Sequence, residues 1–236
     1  MKKIDTISFR GLSIFRNMDD ASLQKIIEAS HQEWVPERTL LMEEGKLCDY
    51  LYVIIRGCVD LFADQGEREC TLTVLHPPRA FVLASVIGGF PAVHSARTLE
   101  TSYILKIPAQ LLKNLLDSDA AFARAVAREL AVSYGCVSIE LKNQKLRTGQ
   151  ERLAHWILRT HTRMGQGSVL PLPFDKRTLA SRVGMTPENL SRSLAQLSKT
   201  AINVHGRNIE IRDYNALVRL AHIHAEASLV TFKDCG

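Results

Sequence analysis

The chain has 236 residues, enough for two ordinary domains, and 46% of them are hydrophobic and 23% charged, as in soluble globular proteins. No apolar run approaches the roughly 20 residues of a membrane-spanning helix, and no apolar signal segment follows Met1-Lys2-Lys3, so we expect a cytoplasmic protein. The net charge is +5, but residues 1–144 carry only 16 Lys and Arg against 18 Asp and Glu. The basic excess therefore lies in the C-terminal third of the chain. This distribution indicates a polyanionic partner for that part.

The first part of the chain is rich in short predicted strands. A short helix over Ala21–Ser30 precedes them, and turn residues such as Gly45, Gly57 and Gly66 separate them. The predicted strands are Thr39–Met42, Tyr50–Ile55, Val59–Phe62, Cys70–Leu75 and Ser102–Ile107. Short strands at this spacing predict an antiparallel β-sandwich or barrel.

Helices follow the predicted strands. Ala109–Leu116 forms a short helix, and Asp119 is placed to cap a long one that runs to about Leu146. Apolar residues recur along it at spacings of four and three: Ala123, Ala127, Leu130, Tyr134, Val137 and Leu141. This heptad seam predicts pairing with a second copy of the chain, and the alternative is that the stripe packs on its own β-domain.

The segment Lys176–Lys199 has the pattern of a helix-turn-helix. After a helix over Gly149–Met164, Asp175 can cap a first short helix, Gly184 supplies a turn, and Thr186 caps a second helix that begins at Pro187. The second helix has a buried face formed by Leu190, Leu194 and Leu197. The alternative is an ordinary helical hairpin with a solvated charged face.

The other face of this second helix carries Glu188, Ser191 and Arg192. A Glu accepts from cytosine N4, an Arg donates to guanine O6 and N7, and a Ser serves several partners, so these residues are candidates for base recognition in the major groove. A predicted hairpin at Ala201–Ile211 is typical of a wing. Four residues are candidates for contacts to the DNA backbone: Lys176, Thr186, Lys199 and Arg207.

Taken together, these features resemble the CRP/FNR family of bacterial transcription regulators, over about Leu12 to Leu217. Leu51–Val59 looks like the family's strand-turn-strand core, and Glu188-Asn-Leu-Ser-Arg192 matches the E-x-x-S-R pattern of the FNR-like branch. Pro187 stands where the cyclic-AMP branch carries a base-contacting Arg. The resemblance implies a homodimer that reads TTGAT half-sites in an inverted repeat and works with RNA polymerase.

It also implies an α+β fold in three parts. These are a cyclic-nucleotide-binding-like β-roll, or jelly roll, over residues 1–118, a dimerisation helix over 119–146, and a winged helix-turn-helix over 147–236. An effector is expected to alter either the seam or a hinge near Asn143–Arg147, and so to rotate the DNA-binding domains.

The expected effector pocket departs from the cyclic-AMP-responsive members. Leu83 and Ala84 replace a ribose-binding Gly-Glu pair, and His94-Ser95 replaces a phosphate-binding Arg-Ser pair. Losing both the carboxylate and the guanidinium removes the charge-assisted contacts that a cyclic phosphate needs. The resemblance therefore implies an effector other than cyclic AMP, or none.

Metal and cofactor signals are weak. The five cysteines are scattered without a C-x-x-C pair, which predicts isolated reduced thiols and no zinc site, and residues 1–18 lack the cysteine cluster of an oxygen-sensing iron–sulfur centre. Some FNR-like members bind haem, and four residues are candidates for an axial ligand here: His94, His76, Cys70 and Cys48. Ordinary loop side chains are the alternative.

Two rival functions have less support. The sequence has no G-x-S-x-G, P-loop or H-E-x-x-H motif, so we expect no enzyme. A cyclic-nucleotide-binding-like module that binds a protein is the other rival, and a haem-based or cyclic-nucleotide-responsive regulator of the same architecture is the nearer alternative.

Overall fold

The computed structural model describes residues 9–66, 68–165, 167, 169–172 and 175–222. The chain divides into two compact units, residues 1–134 and 135–236, and the long helix contributes to both. The structure has helices and strands together, which confirms the predicted α+β class.

The first unit is a β-roll with flanking helices. After a 3-10 turn at Ser13–Phe15, its elements are α1 (Asp20–Ala29), β1 (His31–Val35), β2 (Leu40–Met42), β3 (Tyr50–Arg56), β4 (Val59–Gln65), β5 (Arg68–Leu75), β6 (Arg79–Phe81), α2 (Leu83–Gly88), β7 (Ser95–Thr98), β8 (Ser102–Pro108), α3 (Ala109–Ser118) and the long helix α4 (Ala120–Leu146). The strands form two antiparallel four-stranded sheets, ordered β1-β8-β3-β6 and β2-β7-β4-β5. The five predicted strands are confirmed, whereas β1, β6, β7 and α2 were not predicted.

The core of the roll joins both sheets to the start of α4. Leu51 and Ile104 are fully buried between strands, and Phe15 stacks on Phe122 of α4 with ring centroids 6.1 Å apart. Asp119 caps α4, since its Oδ1 accepts from the backbone amides of Ala121 and Phe122 at 2.9 Å. The predicted cap is therefore confirmed, and the first turns of α4 belong to the roll.

The second unit is a small helical domain with a three-stranded sheet. Its elements, after the end of α4, are α5 (Gly149–Arg163), β9 (Val169–Pro171), α6 (Lys176–Arg182), α7 (Pro187–Leu197), β10 (Ile202–His205), β11 (Asn208–Ile211) and α8 (Tyr214–Leu220). The sheet order is β10-β11-β9, all antiparallel. Thr148 and Glu151 form a capping box at the start of α5.

The predicted seam on α4 is only partly covered. Leu130 packs against the core of the roll, Ala123 is half-buried and Ala127 is exposed. Further along, Tyr134 is 76% exposed, and Val137 and Leu141 are 67% and 55% exposed. The alternative of packing on the β-domain therefore applies to Leu130, while the later part of the stripe is largely exposed.

Two further observations concern the whole molecule. Cys48, Cys58 and Cys70 are free thiols, but Cys136 is disulfide-bonded, which corrects the expectation of isolated thiols at that position. Cys235 lies outside the described residues. Within the described ranges, no helix has the length and apolar character needed to span a membrane.

Candidate nucleic-acid interface

The two helices of the predicted helix-turn-helix are fixed by local caps. Asp175 accepts from the backbone amide of Thr178 at 2.8 Å to begin α6, and the Thr186 hydroxyl accepts from the amide of Asn189 at 3.3 Å to begin α7. Between them Gly184 has φ +65°, a conformation that favours glycine. The sequence-based boundaries of the motif are thus confirmed to within a residue or two.

Helix α7 presents the predicted base-reading residues to solvent. Leu190, Leu194 and Leu197 are buried on one side of the helix, while the opposite side exposes the following residues of its first two turns: Glu188, Ser191 and Arg192. This is the arrangement of a helix that packs on its domain through one face and offers the other to a groove.

The chemistry of this exposed face suits hydrogen bonding to bases. Hydrogen bonds from the Glu188 backbone amide and from Thr186, together with the charge of Arg192, lower the pKa of the Glu188 carboxyl. Glu188 is therefore an ionised acceptor at neutral pH. The Ser191 hydroxyl donates to the carbonyl of Pro187 at 2.9 Å, so its lone pairs are left to accept from a partner.

The candidates for backbone contacts lie around this helix. Lys176 is exposed at the start of α6, Lys199 is exposed just beyond α7, and Thr186 is exposed while it serves as the cap. Arg207 is exposed in the two-residue turn of the β10–β11 hairpin, next to Gly206 with φ +59°. The wing hairpin predicted from sequence is confirmed.

Three further polar side chains of the two helices are exposed and were missed by the sequence analysis: Arg177, Asn189 and Gln196. The available signal was helical spacing, since all three fall outside the apolar face of their helix. Asn189 lies in the first turn of α7, beside Glu188, and an Asn can bond both adenine N6 and N7.

Comparisons with known proteins decide the family. Residues 32–119 match the family model of the cyclic nucleotide-binding domain, and residues 151–220 match that of the Crp-like helix-turn-helix domain. The chain belongs to the CRP/FNR family of transcription regulators.

Relatives and solved structures agree with this assignment. The fumarate and nitrate reduction regulatory protein of Vibrio cholerae is 27% identical over 202 residues, which is 79% of this chain and 77% of that protein. Its namesake in Escherichia coli K12 is 26% identical, with 84% of this chain and 81% of that protein covered. FixK2 from Bradyrhizobium japonicum shares the fold at 20% identity and a TM-score of 0.75, with 83% of this chain and 99% of FixK2 covered.

The four residues expected to line an effector pocket lie in the β-roll unit. Leu83 is buried in the core, and Ala84 is exposed beside it in the first turn of α2. Ser95 is buried, and its hydroxyl accepts from the backbone amide of Glu44 at 3.0 Å. Burial lowers the pKa of His94, against an opposite effect of the nearby Glu44 charge, so its imidazole is neutral at pH 7.

Among the four haem-ligand candidates, His94 has a ring nitrogen that is buried. Its Nε2 has no hydrogen-bond partner within the described part of the chain, but the atom is shielded from solvent by the roll itself. The remaining candidates are Cys48, whose Sγ lies 3.5 Å from the Met42 Sδ, Cys70, which is exposed, and His76, whose Nδ1 lies 3.8 Å from the Cys58 Sγ. Because Nε2 of His94 is buried, this conformation of the roll does not offer that atom to a haem iron.

Proposed function

We propose that this chain is a homodimeric regulator that binds an inverted repeat of TTGAT-type half-sites. The observation that supports it is the exposed face of α7, with Glu188, Ser191 and Arg192 in the first two turns of an N-capped helix. In each half-site Arg192 donates to guanine O6 and N7, and Glu188 accepts from the N4 amine of the paired cytosine. Ser191 accepts from a neighbouring base.

A second copy of the chain is the partner proposed for the seam. Tyr134, Val137 and Leu141 leave a contiguous apolar stripe open to water on one chain. Burying one large apolar side chain stabilises by about 1.5–3 kcal/mol, and a twofold pairing of α4 buries the stripe of both copies at once. The pairing also supplies the symmetry that an inverted repeat requires.

In this proposal cyclic AMP is not the effector of the regulator. At His94 the roll offers a neutral imidazole, and the carboxylate of Glu44 acts on the same place. A cyclic phosphate there would lose a charge-assisted donor and meet a negative charge. The effector is therefore another small molecule, or there is none and activity follows the amount of protein in the cell. In either case regulation proceeds through RNA polymerase at the promoter.

Gel shift separates this function from its rivals. The purified full-length protein is titrated into a TTGAT-N4-ATCAA duplex and into a duplex of the same composition in scrambled order. A shift at lower protein concentration with the repeat supports the proposal. No shift of either duplex at low salt, with or without candidate effectors, would leave the protein-binding module as the better account of the same fold.

A further inference from the structure

We propose that Glu140 and Arg152 are positioning residues that lock the helix-turn-helix to the last two turns of α4, and so fix the half-site spacing that the dimer accepts. The inference rests on the proposed function, because spacing has meaning only for a dimer on an inverted repeat. It adds two residues outside the DNA-reading face to the set that determines specificity.

The first contact joins α4 to the first helix of the motif. Glu140 Oε1 lies 3.1 Å from Nη1 of Arg182 in α6, and Glu140 Oε2 lies 4.0 Å from Nη1 of Arg159 in α5. The side chain of Arg182 is only 10% exposed, so this ion pair is largely sheltered from water and salt. Burial acts to raise the pKa of Glu140, but the charge and hydrogen bond of Arg182, with smaller effects of Gln144 and Arg159, lower this pKa overall, so the carboxyl stays ionised.

The second contact joins the end of α4 to the turn of the motif. The Arg152 guanidinium donates to three backbone carbonyls: to Arg147 from Nη1 at 2.7 Å, to Val183 from Nε at 2.7 Å, and to Gly184 from Nη2 at 2.9 Å. Arg147 follows the last residue of α4, whereas Val183 and Gly184 form the turn between α6 and α7. The planar guanidinium directs its donors from three separate nitrogens, an arrangement that the single nitrogen of a lysine does not reproduce.

The turn also lies against the end of α4. A Cβ added at Gly184 would come within 2.8 Å of Oε1 of Gln144. The contacts of Glu140 and Arg152 therefore hold α6, the turn and the last turns of α4 in one arrangement. A hinge at Asn143–Arg147 would have to break this arrangement.

The consequence for DNA follows from helix geometry. In a dimer paired along α4, the angle between α4 and α7 fixes where the two α7 helices point. One extra base pair moves a half-site by about 3.4 Å and rotates it by about 35°. A rigid connection therefore accepts one spacing and rejects its neighbours, whereas a loose one tolerates several.

The test measures spacing selectivity. Full-length wild type, Glu140→Gln and Arg152→Lys are titrated into duplexes whose TTGAT and ATCAA half-sites are separated by three, four or five base pairs. Two exposed residues provide matched controls, Glu37→Gln for the lost charge and Arg128→Lys for the lost fork. Thermal unfolding of each variant is recorded alongside.

We expect wild type and both controls to prefer one spacing by about tenfold, the size of one mismatched base pair. Glu140→Gln and Arg152→Lys should each reduce that ratio to about threefold or less, while they keep the preference for TTGAT over a half-site with its G·C pair changed.

A purely structural role would instead lower the unfolding temperature and weaken binding at all spacings equally, which overturns the proposal. An unchanged ratio in both variants overturns it too, and leaves the proposed function intact. If wild type itself does not distinguish the repeat from scrambled DNA, the proposed function fails and this inference fails with it.

Discussion

The Thr186 hydroxyl accepts a hydrogen bond from the backbone amide of Asn189, 3.3 Å away, and so fixes the first turn of α7. Arg192 lies about one turn further along α7, on its exposed side. Replacing Arg192 by Ala removes the forked donor to guanine, so we expect a loss of about 1–3 kcal/mol in binding for each half-site and relaxed discrimination at that base pair. Competition binding with duplexes changed at each position of the half-site measures both effects. An unaltered base preference in the variant would rule out the role given to Arg192.

Arg207 is the residue proposed to contact the DNA backbone without reading sequence. It is exposed in the turn of the β10–β11 hairpin. Arg207→Ala should weaken binding to all duplexes alike and reduce the slope of log K against log salt by about 1. Titrations at several salt concentrations check this prediction. A selective loss on the TTGAT repeat would instead show that Arg207 reads bases.

The seam on α4 makes a prediction about assembly. Val137 is 67% exposed on one chain, and a glutamate there would place two like charges in the proposed dimer interface. Val137→Glu should shift the protein to monomers and abolish the advantage of the inverted repeat over a single half-site. Lys142→Glu, also exposed on α4, is the control.

Sedimentation velocity and repeat-against-half-site titrations report these two quantities for both variants. Dimeric Val137→Glu with full affinity for the repeat would show that the chains pair elsewhere.

His155 predicts how the second unit responds to acid. The residue is buried in α5, and burial, with the charges of Arg147 and Arg159, lowers its pKa to about 4. In the unfolded chain a histidine titrates near 6.5, so between those values the unfolded state binds the extra proton. Stability is fully present above about pH 6.5 and falls as the pH drops towards 4, by up to about 3 kcal/mol.

Urea unfolding of wild type and His155→Asn between pH 4 and 7 isolates this contribution. The variant should show a flatter dependence on pH over that range, because it has no imidazole to charge on unfolding. Parallel curves for the two proteins would mean that His155 has the same pKa in the native and unfolded states.

Haem addition tests the claim that the β-roll does not bind haem through His94. Because Nε2 of His94 is shielded from solvent, we expect the purified protein to give no shifted Soret band when haem is added. Absorption spectra of wild type and His94→Ala should be the same. A Soret band that depends on His94 and shifts with carbon monoxide would show that the roll opens to take haem as its effector.

The parts of the molecule that the sequence predicted best are those with local signals. Asp119, Asp175 and Thr186 each cap a helix within three residues of their own position, so the helix starts could be read directly. The apolar spacing of α7 likewise separated its buried face from its exposed face. The short strands β6 and β7 have three and four residues and gave no alternating pattern to detect.

The contacts that orient the helix-turn-helix could not be predicted in the same way. Glu140 and Arg182 lie on different helices, and Arg152 bonds backbone carbonyls of a distant turn. In the sequence each is one more charged residue on an amphipathic helix. Only the packing of the second unit brings them together.

The central claim is that α7 reads a G·C pair in each half of an inverted repeat. Its most direct test is fluorescence anisotropy with the TTGAT-N4-ATCAA duplex and with the same duplex carrying A·T in place of that G·C pair in both halves, at about 0.15 M salt. We predict two chains per duplex and a loss of about 2–6 kcal/mol on the altered duplex, at about 1–3 kcal/mol per changed pair. Equal affinity for the two duplexes would contradict the claim.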